Sequence, residues 1–230
     1  MVNRRIAIIP ARGGSKRIPN KNIIDFNGKP IIEWTIKAAL DSCLFDQVLV
    51  STDSEEIAEL SISAGASVPF LRLENHDDFA SVSQATIGAL RQAERYWNSS
   101  YQTIAQLMPN CPLRNWEHIK SAMKYFEIKG IEYLISCCAY GWMNPWWAVT
   151  LDKDLIPEKI FPQNFNSRSQ DLKRLFCPSG AIWVAKRDAL IQSGTFYGSG
   201  HRFFPIDWKA GVDIDDMDDY QMALALSKIN

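Results

Sequence analysis

The sequence predicts an α/β protein in which a mainly parallel sheet carries helices on both faces. Three observations lead there. Apolar runs of strand length alternate with stretches of helical period along most of the chain. The runs are apolar throughout, as in Ile6-Ala7-Ile8-Ile9, so both faces of each strand need covering. The chain has 230 residues, 47% of them apolar, enough for one large core.

The elements follow in order. Residues 6–9 form the first strand. Pro30 suits a helix start, and Ile32, Thr35, Ile36, Ala39 and Leu40 then recur at the spacing of one helix face. Residues 47–50 are a strand running into Ser51-Thr52-Asp53, and Ile57, Leu60 and Ala64 mark the next helix. A third strand is expected at 67–71, and Ala85, Ala89 and Ala93 stripe a helix over 81–97. A strand at 103–108, a helix at about 115–128 and a strand at 133–138 complete the repeat. Residues 140–172 break the rhythm, with three prolines and with Tyr140, Trp142, Trp146 and Trp147 close together. This stretch reads as an arm inserted into a single domain spanning residues 1–230, because nothing has linker composition. A strand at 180–185, a short helix at 188–192, a strand at 212–215 and a closing helix with Met217, Tyr220 and Leu224 on one side finish the chain.

Composition narrows the function. A formal charge of -1 argues against broad nucleic-acid or membrane-surface binding. No run approaches the roughly 18 apolar residues of a membrane span. Five scattered cysteines without a CxxC suit a reduced, cytoplasmic setting, and three distant histidines have no zinc spacing.

In a parallel sheet, ligands bind beyond the carboxyl ends of the strands. The loop after the first strand reads ARGGSKRIPNKN (residues 11–22), with Arg12, Lys16, Arg17 and Lys21 and no carboxylate. Glycine backbone N–H groups and flexible cations suit a triphosphate. Neither the P-loop nor the GxGxxG pattern is present, and a solvated basic loop is the alternative. Val212-Asp213-Ile214-Asp215-Asp216 supplies acids. On a strand Asp213 and Asp215 project together, and two hard oxygens suit Mg²⁺ bridging phosphates. Asp216 points away and caps the last helix, with Asp219 near the same end. The alternative is that all these acids are solvated helix-start residues. Arg168 and Gln170 are open to a carboxylate substrate, or Arg168 to a surface ion pair. Trp142, Trp146 and Trp147 suit a pocket wall or, better, a subunit contact. Gly194, Gly198 and Gly200 read as a surface turn.

Together these pieces resemble the acylneuraminate cytidylyltransferase family. The matching segments are IIPARGGSKRIPNKN (8–22), VSTDSEEIA (50–58), PFLR (69–72), DDFAS (77–81), MPNCPLR (108–114), RSQDL (168–172), SGAIW (179–183) and VDIDD (212–216). The resemblance implies a nucleotide-diphospho-sugar-transferase-like, Rossmann-like fold, usually dimeric, with residues 140–172 as the dimerisation arm. It implies transfer of CMP from CTP to the anomeric hydroxyl of a nine-carbon 2-keto acid, with pyrophosphate released and Mg²⁺ as cofactor. Arg12, Ser15, Lys16 and Lys21 then hold the triphosphate, while Asn22, Arg72 and Ser81 contact the nucleotide. Asp213 and Asp215 bind Mg²⁺, and Asp215 lies nearest the reacting hydroxyl. Arg168 and Gln170, with Asn110 and Ser179, belong to the sugar acid. Where the family commonly has QPTSPLR, this chain has Met108, Asn110 and Cys111. Ser179 stands where many members have asparagine, and Trp147 where a lysine is frequent. Other stretches resemble the pseudaminic acid branch, so a pseudaminic- or legionaminic-type acid and N-acetylneuraminic acid both remain open. The competing functions are a metal-dependent glycosyltransferase and a catalytically silent nucleotide-binding homologue.

Overall fold

The computed structural model describes residues 3–72, 81–141 and 143–229. Strand β1 (Arg5–Pro10) leads into a two-stranded ribbon, β2 (Asp25–Phe26) and β3 (Lys29–Pro30). Asn27 and Gly28 turn this ribbon at φ 54° and 81°, the left-handed pair that a two-residue hairpin requires. Then come α1 (Ile31–Asp41), β4 (Gln47–Ser51), α2 (Glu55–Ser63), α3 (Val82–Tyr96), β5 (Thr103–Gln106), α4 (Trp116–Lys129) and β6 (Tyr133–Ala139). Beyond them lie β7 (Val149–Leu151), β8 (Pro157–Lys159), β9 (Phe176–Lys186), α5 (Arg187–Ser193), β10 (Arg202–Pro205) and α6 (Met217–Leu226).

Local chemistry sets the helix ends. The Ser54 side chain accepts from the Ile57 N–H, and Asn115 accepts from the N–H groups of Glu117 and His118. Helix α4 stops at Gly130, whose φ of 61° suits a left-handed cap.

The main sheet has the order β10-β6-β9-β5-β1-β4. Strand β1 pairs in parallel with β4 and β5, and β10 in parallel with β6. Both faces are covered, as the apolar runs require. Ala7 and Ile9 pack with Ile32, Ile36, Met123 and Phe126 on one side, whereas Ile6 and Ile8 pack with Ile87, Leu90 and Leu190 on the other.

Four points about the strands differ from expectation. The strand expected at 67–71 contributes one bridge, Leu49 to Ser67. Residues 212–215 lie outside any strand, although their in–out alternation persists. Strand β10, only four residues long and opened by Arg202, was not expected. Strand β9 runs antiparallel to both β5 and β6. The chain leaves β6 at one end of the sheet, makes the arm there and must return from that end. The arm is a β7–β8 hairpin with three residues exposed on each strand. Trp142 lies outside the described residues, while Trp146 stacks edge-on against Phe161 and donates its indole N–H to the Lys173 carbonyl at 2.8 Å.

Candidate active site

A third apolar cluster builds the site. It joins Ile18 of the basic loop, Phe26, Ile31, Val212, Ile214 and Ala223. Burying Val212 and Ile214 turns Asp213 and Asp215 the other way, toward the loop. Hydrogen bonds then do what a strand ladder would have done. The Ile214 N–H donates to the Asn110 carbonyl at 3.0 Å, and Asn110 Nδ2 donates back to the Ile214 carbonyl at 3.0 Å. Lys21 Nζ reaches the same carbonyl at 2.9 Å and Asp215 Oδ1 at 2.9 Å. Asp216 caps α6 as the sequence suggests, accepting from Asp218 and Asp219 N–H groups, while the Asp219 carboxylate receives the Asp215 and Asp216 N–H groups.

The loop is anchored as firmly. Asn22 is buried and donates to the Arg12 carbonyl at 2.9 Å. The Gly13 N–H donates to Asp53 Oδ1 at 2.8 Å, and a Cβ on Gly13 would press within 3.1 Å of the Ser54 side chain. Part of the glycine turn is therefore committed internally, which leaves more of any anion's binding to the cations.

These elements enclose a cavity of about 580 Å³ at the carboxyl end of β1 and β5. Arg12, Ser15, Lys16, Lys21, Asn22 and Arg72 line it opposite Asn110, Asp213 and Asp215. Arg17 lines it too, and its guanidinium meets Asp215 Oδ2 at 2.9 Å. Five cations thus face two carboxylates, a balance suited to a polyanion. Burial lowers the Arg72 pKa, offset by Asp53, with Arg12 nearby adding to the lowering. Burial raises Asp215, but the hydrogen bonds and charges of Lys21 and Arg17 outweigh it and hold the carboxyl below its usual range. Asp213 opens onto the cavity, yet the protein packed around it and the Asp215 charge push its pKa up to about 6.

Other expected residues sit elsewhere. Ser81 caps α3, exchanging hydrogen bonds with Gln84, and the next turn presents Val82 and Ala85 to the cavity. Of the DDFAS segment, residues 77–80 lie outside the described residues. Ser179 lines a smaller adjoining cavity of about 290 Å³ with Met108, Trp183 and Asp213, its hydroxyl 2.8 Å from that of Ser136. Arg168 and Gln170 stay on the exposed arm, with Arg168 paired to Asp171 at 2.8 Å, and neither lines the cavity of its own chain.

Two supporting residues escaped the sequence reading. Fully buried Arg114 donates to the Ala181 carbonyl at 3.1 Å and to Thr35 Oγ1 at 2.5 Å. Thr35 in turn bonds the Met108 carbonyl at 3.2 Å, fixing the turn that carries Asn110. Thr35 was legible only as a helix-face residue. A larger cavity of about 710 Å³ lies at the opposite end of the sheet, where Arg187 is already tied to Glu94 and Asp188.

Comparison with known proteins bears on the same residues. The cytidylyltransferase family matches residues 6–139. A pseudaminic acid cytidylyltransferase of Campylobacter jejuni subsp. jejuni serotype O:23/36 (strain 81-176) is 34% identical over 99% of this chain and 97% of its own. A CMP-N,N'-diacetyllegionaminic acid synthase of Legionella pneumophila subsp. pneumophila (strain Philadelphia 1) is 30% identical over 99% and 97%. A solved CMP:2-keto-3-deoxy-manno-octonic acid synthetase complexed with CTP superposes with a TM-score of 0.73 at 18% identity, covering 97% of this chain and 98% of that one, a likeness of fold. The sheet and helices agree with that fold, and with the family matched over more than half the chain and a full-length relative at 34% identity, this chain belongs to the cytidylyltransferases.

Proposed function

We propose that this cytidylyltransferase transfers CMP from CTP to the anomeric hydroxyl of a sialic-acid-like nine-carbon 2-keto acid, releasing pyrophosphate. The observation that carries the reading is the contact of Lys21 with Asp215, which sets the basic loop face to face with the paired acids. The names of the Campylobacter and Legionella relatives support the acid class, with pseudaminic and legionaminic types ahead of N-acetylneuraminic acid.

In the reaction the anomeric hydroxyl gives up its proton to solvent or to Asp215, and its oxygen attacks the α-phosphorus while the bond to the β-phosphate oxygen breaks and pyrophosphate leaves. Arg12, Ser15, Lys16 and Lys21 bind and neutralise the triphosphate, and Asn22 holds their loop in shape. Arg72 adds charge from the β4 side of the cavity. Catalysis is mainly positioning and charge stabilisation. Asp213 and Asp215 suit Mg²⁺: they are hard oxygen donors, the Asp213 carboxyl has a raised pKa that a cation would relieve, and Asn110 Oδ1 is buried with no partner among the described residues. When bound, the ion supplies positive charge to the phosphate oxygens and the attacking hydroxyl. With both oxygens engaged by cations, Asp215 acts first as an anchor and ligand and only weakly as a base.

Arg168 and Gln170 reach an acid only in a neighbouring copy's cavity, so the reading includes a homodimer. The exposed arm residues Leu151, Leu155, Ile156 and Ile160 support it. Among the described residues no helix is long and apolar enough to cross a membrane. A cytoplasmic setting is part of the proposal. The test is pyrophosphate release with CTP and Mg²⁺ against neuraminic, legionaminic and pseudaminic acids. Release with at least one acid is expected. A glycosyltransferase would consume a nucleotide sugar without releasing pyrophosphate, and a silent homologue would bind CTP without turnover on any acid.

A further inference from the structure

The arm springs from two antiparallel strands, β6 and β9, and a cysteine stands on each at its root. The register pairs Cys138 directly with Cys177. The neighbouring Tyr140 N–H donates to the Leu175 carbonyl at 3.1 Å. Hydrogen-bonded and open pairs alternate along such a ladder, so Cys138 and Cys177 form a hydrogen-bonded pair, with Pro178, which lacks an N–H, at the open position beside them. Directly opposed residues point to the same face. Their Cα atoms in such a pair lie about 5.5 Å apart, inside the range of roughly 4.4–6.8 Å that a disulfide spans. Cys137, one residue earlier, points to the other face and is buried. Both Cys138 and Cys177 are free thiols.

We propose that Cys138 and Cys177 form a reversible disulfide that clips together the two roots of the arm, with a low-molecular-weight disulfide such as glutathione disulfide as oxidant. The two thiols have different roles. Cys177 is exposed. It is therefore the point of entry. Cys138 is half-buried, and burial, with the Cys137, Asp207 and Cys177 charges, pushes its thiol up to about 11. Such a thiol is a slow attacker of external reagents but suffices when its target is tethered opposite. In the first step Cys177 loses its proton and its sulfur attacks the glutathione disulfide. The S–S bond breaks, one glutathione leaves, and a mixed disulfide forms. In the second step Cys138 loses its proton and attacks the Cys177 sulfur, expelling the second glutathione. The two cysteines are oxidised by two electrons in all, and the glutathione disulfide is reduced to two thiols.

The bridge also touches the path to the acids. The Cys138 thiol packs against Gly211, where a Cβ would come within 2.1 Å of the sulfur, and it donates to the Asp207 carbonyl at 3.7 Å. Turning the sulfur toward Cys177 withdraws it from the turn that leads into Asp213.

The test uses the full chain, both unsubstituted and with Cys43→Ser to remove the other exposed thiol. After treatment with glutathione disulfide and desalting, intact mass, thiol alkylation and peptide mapping are read. The expected product is lighter by two hydrogen atoms and carries a Cys138–Cys177 linked peptide that dithiothreitol removes. Cys138→Ser should stall as a stable glutathione adduct at Cys177, and Cys177→Ser should slow reaction at Cys138 by about tenfold or more. A persistent adduct on the parent chain, a link involving Cys137 or Cys111, or no reaction would each overturn the proposal. None of these readouts depends on the sugar acid, so the inference and the proposed function stand or fall separately.

Discussion

At Asp215 two cations share one carboxylate, and the consequence is measurable. Lys21 and Arg17 each hold one of its oxygens at 2.9 Å. Asp215→Asn keeps the shape, removes the charge and should lower the rate of pyrophosphate release by about 10²-fold or more, with an unchanged circular dichroism spectrum. Arg12→Ala should weaken CTP binding in a titration, because a lining cation is lost from a cavity that faces two carboxylates. Thr35→Val keeps volume but removes the hydroxyl that links Arg114 to the Met108 carbonyl. It leaves a buried guanidinium N–H and a carbonyl short of a partner, which costs about 1–3 kcal/mol in denaturant unfolding. Lys21 and Asp215 were legible in the sequence because residue type and spacing state their chemistry. Arg17 read as one more loop cation, and Arg114 as part of a motif, since neither an ion pair nor full burial has a local signature.

Among elements, the end of the chain shows how a cap and a site reinforce each other. The Asp216 side chain caps α6, and the Asp219 carboxylate accepts from the Asp215 backbone N–H at 2.9 Å. Asp216→Ala should lower stability by about 1 kcal/mol, seen as a drop in Tm, and should slow turnover by loosening the segment that carries Asp215. This cap was readable from residue order. The state of residues 212–215 was not: their alternation is real, but it arises from Val212 and Ile214 packing with Ile18 rather than from a ladder. Strand β9 was placed well and its direction missed, because an apolar strand buried on both faces reads the same in either direction.

For the whole molecule, the arm is where a single chain exposes a group of large apolar side chains. Leu155 and Ile156 are exposed at its tip, and the proposed homodimer accounts for them. Leu155→Glu with Ile156→Glu should shift sedimentation from dimer to monomer, and an unsubstituted chain that sediments as a monomer would remove the arm's assigned role. By itself the sequence determined the alternation of strands and helices, the cationic loop, the paired acids and the capping chemistry, because each depends on neighbours within a few residues. Tertiary structure decided that Lys21 meets Asp215, that Asn110 braces Ile214, and that Arg168 lies apart from its own chain's cavity. Those distances join residues far apart in the chain, and burial of the third apolar cluster, rather than any local preference, sets them.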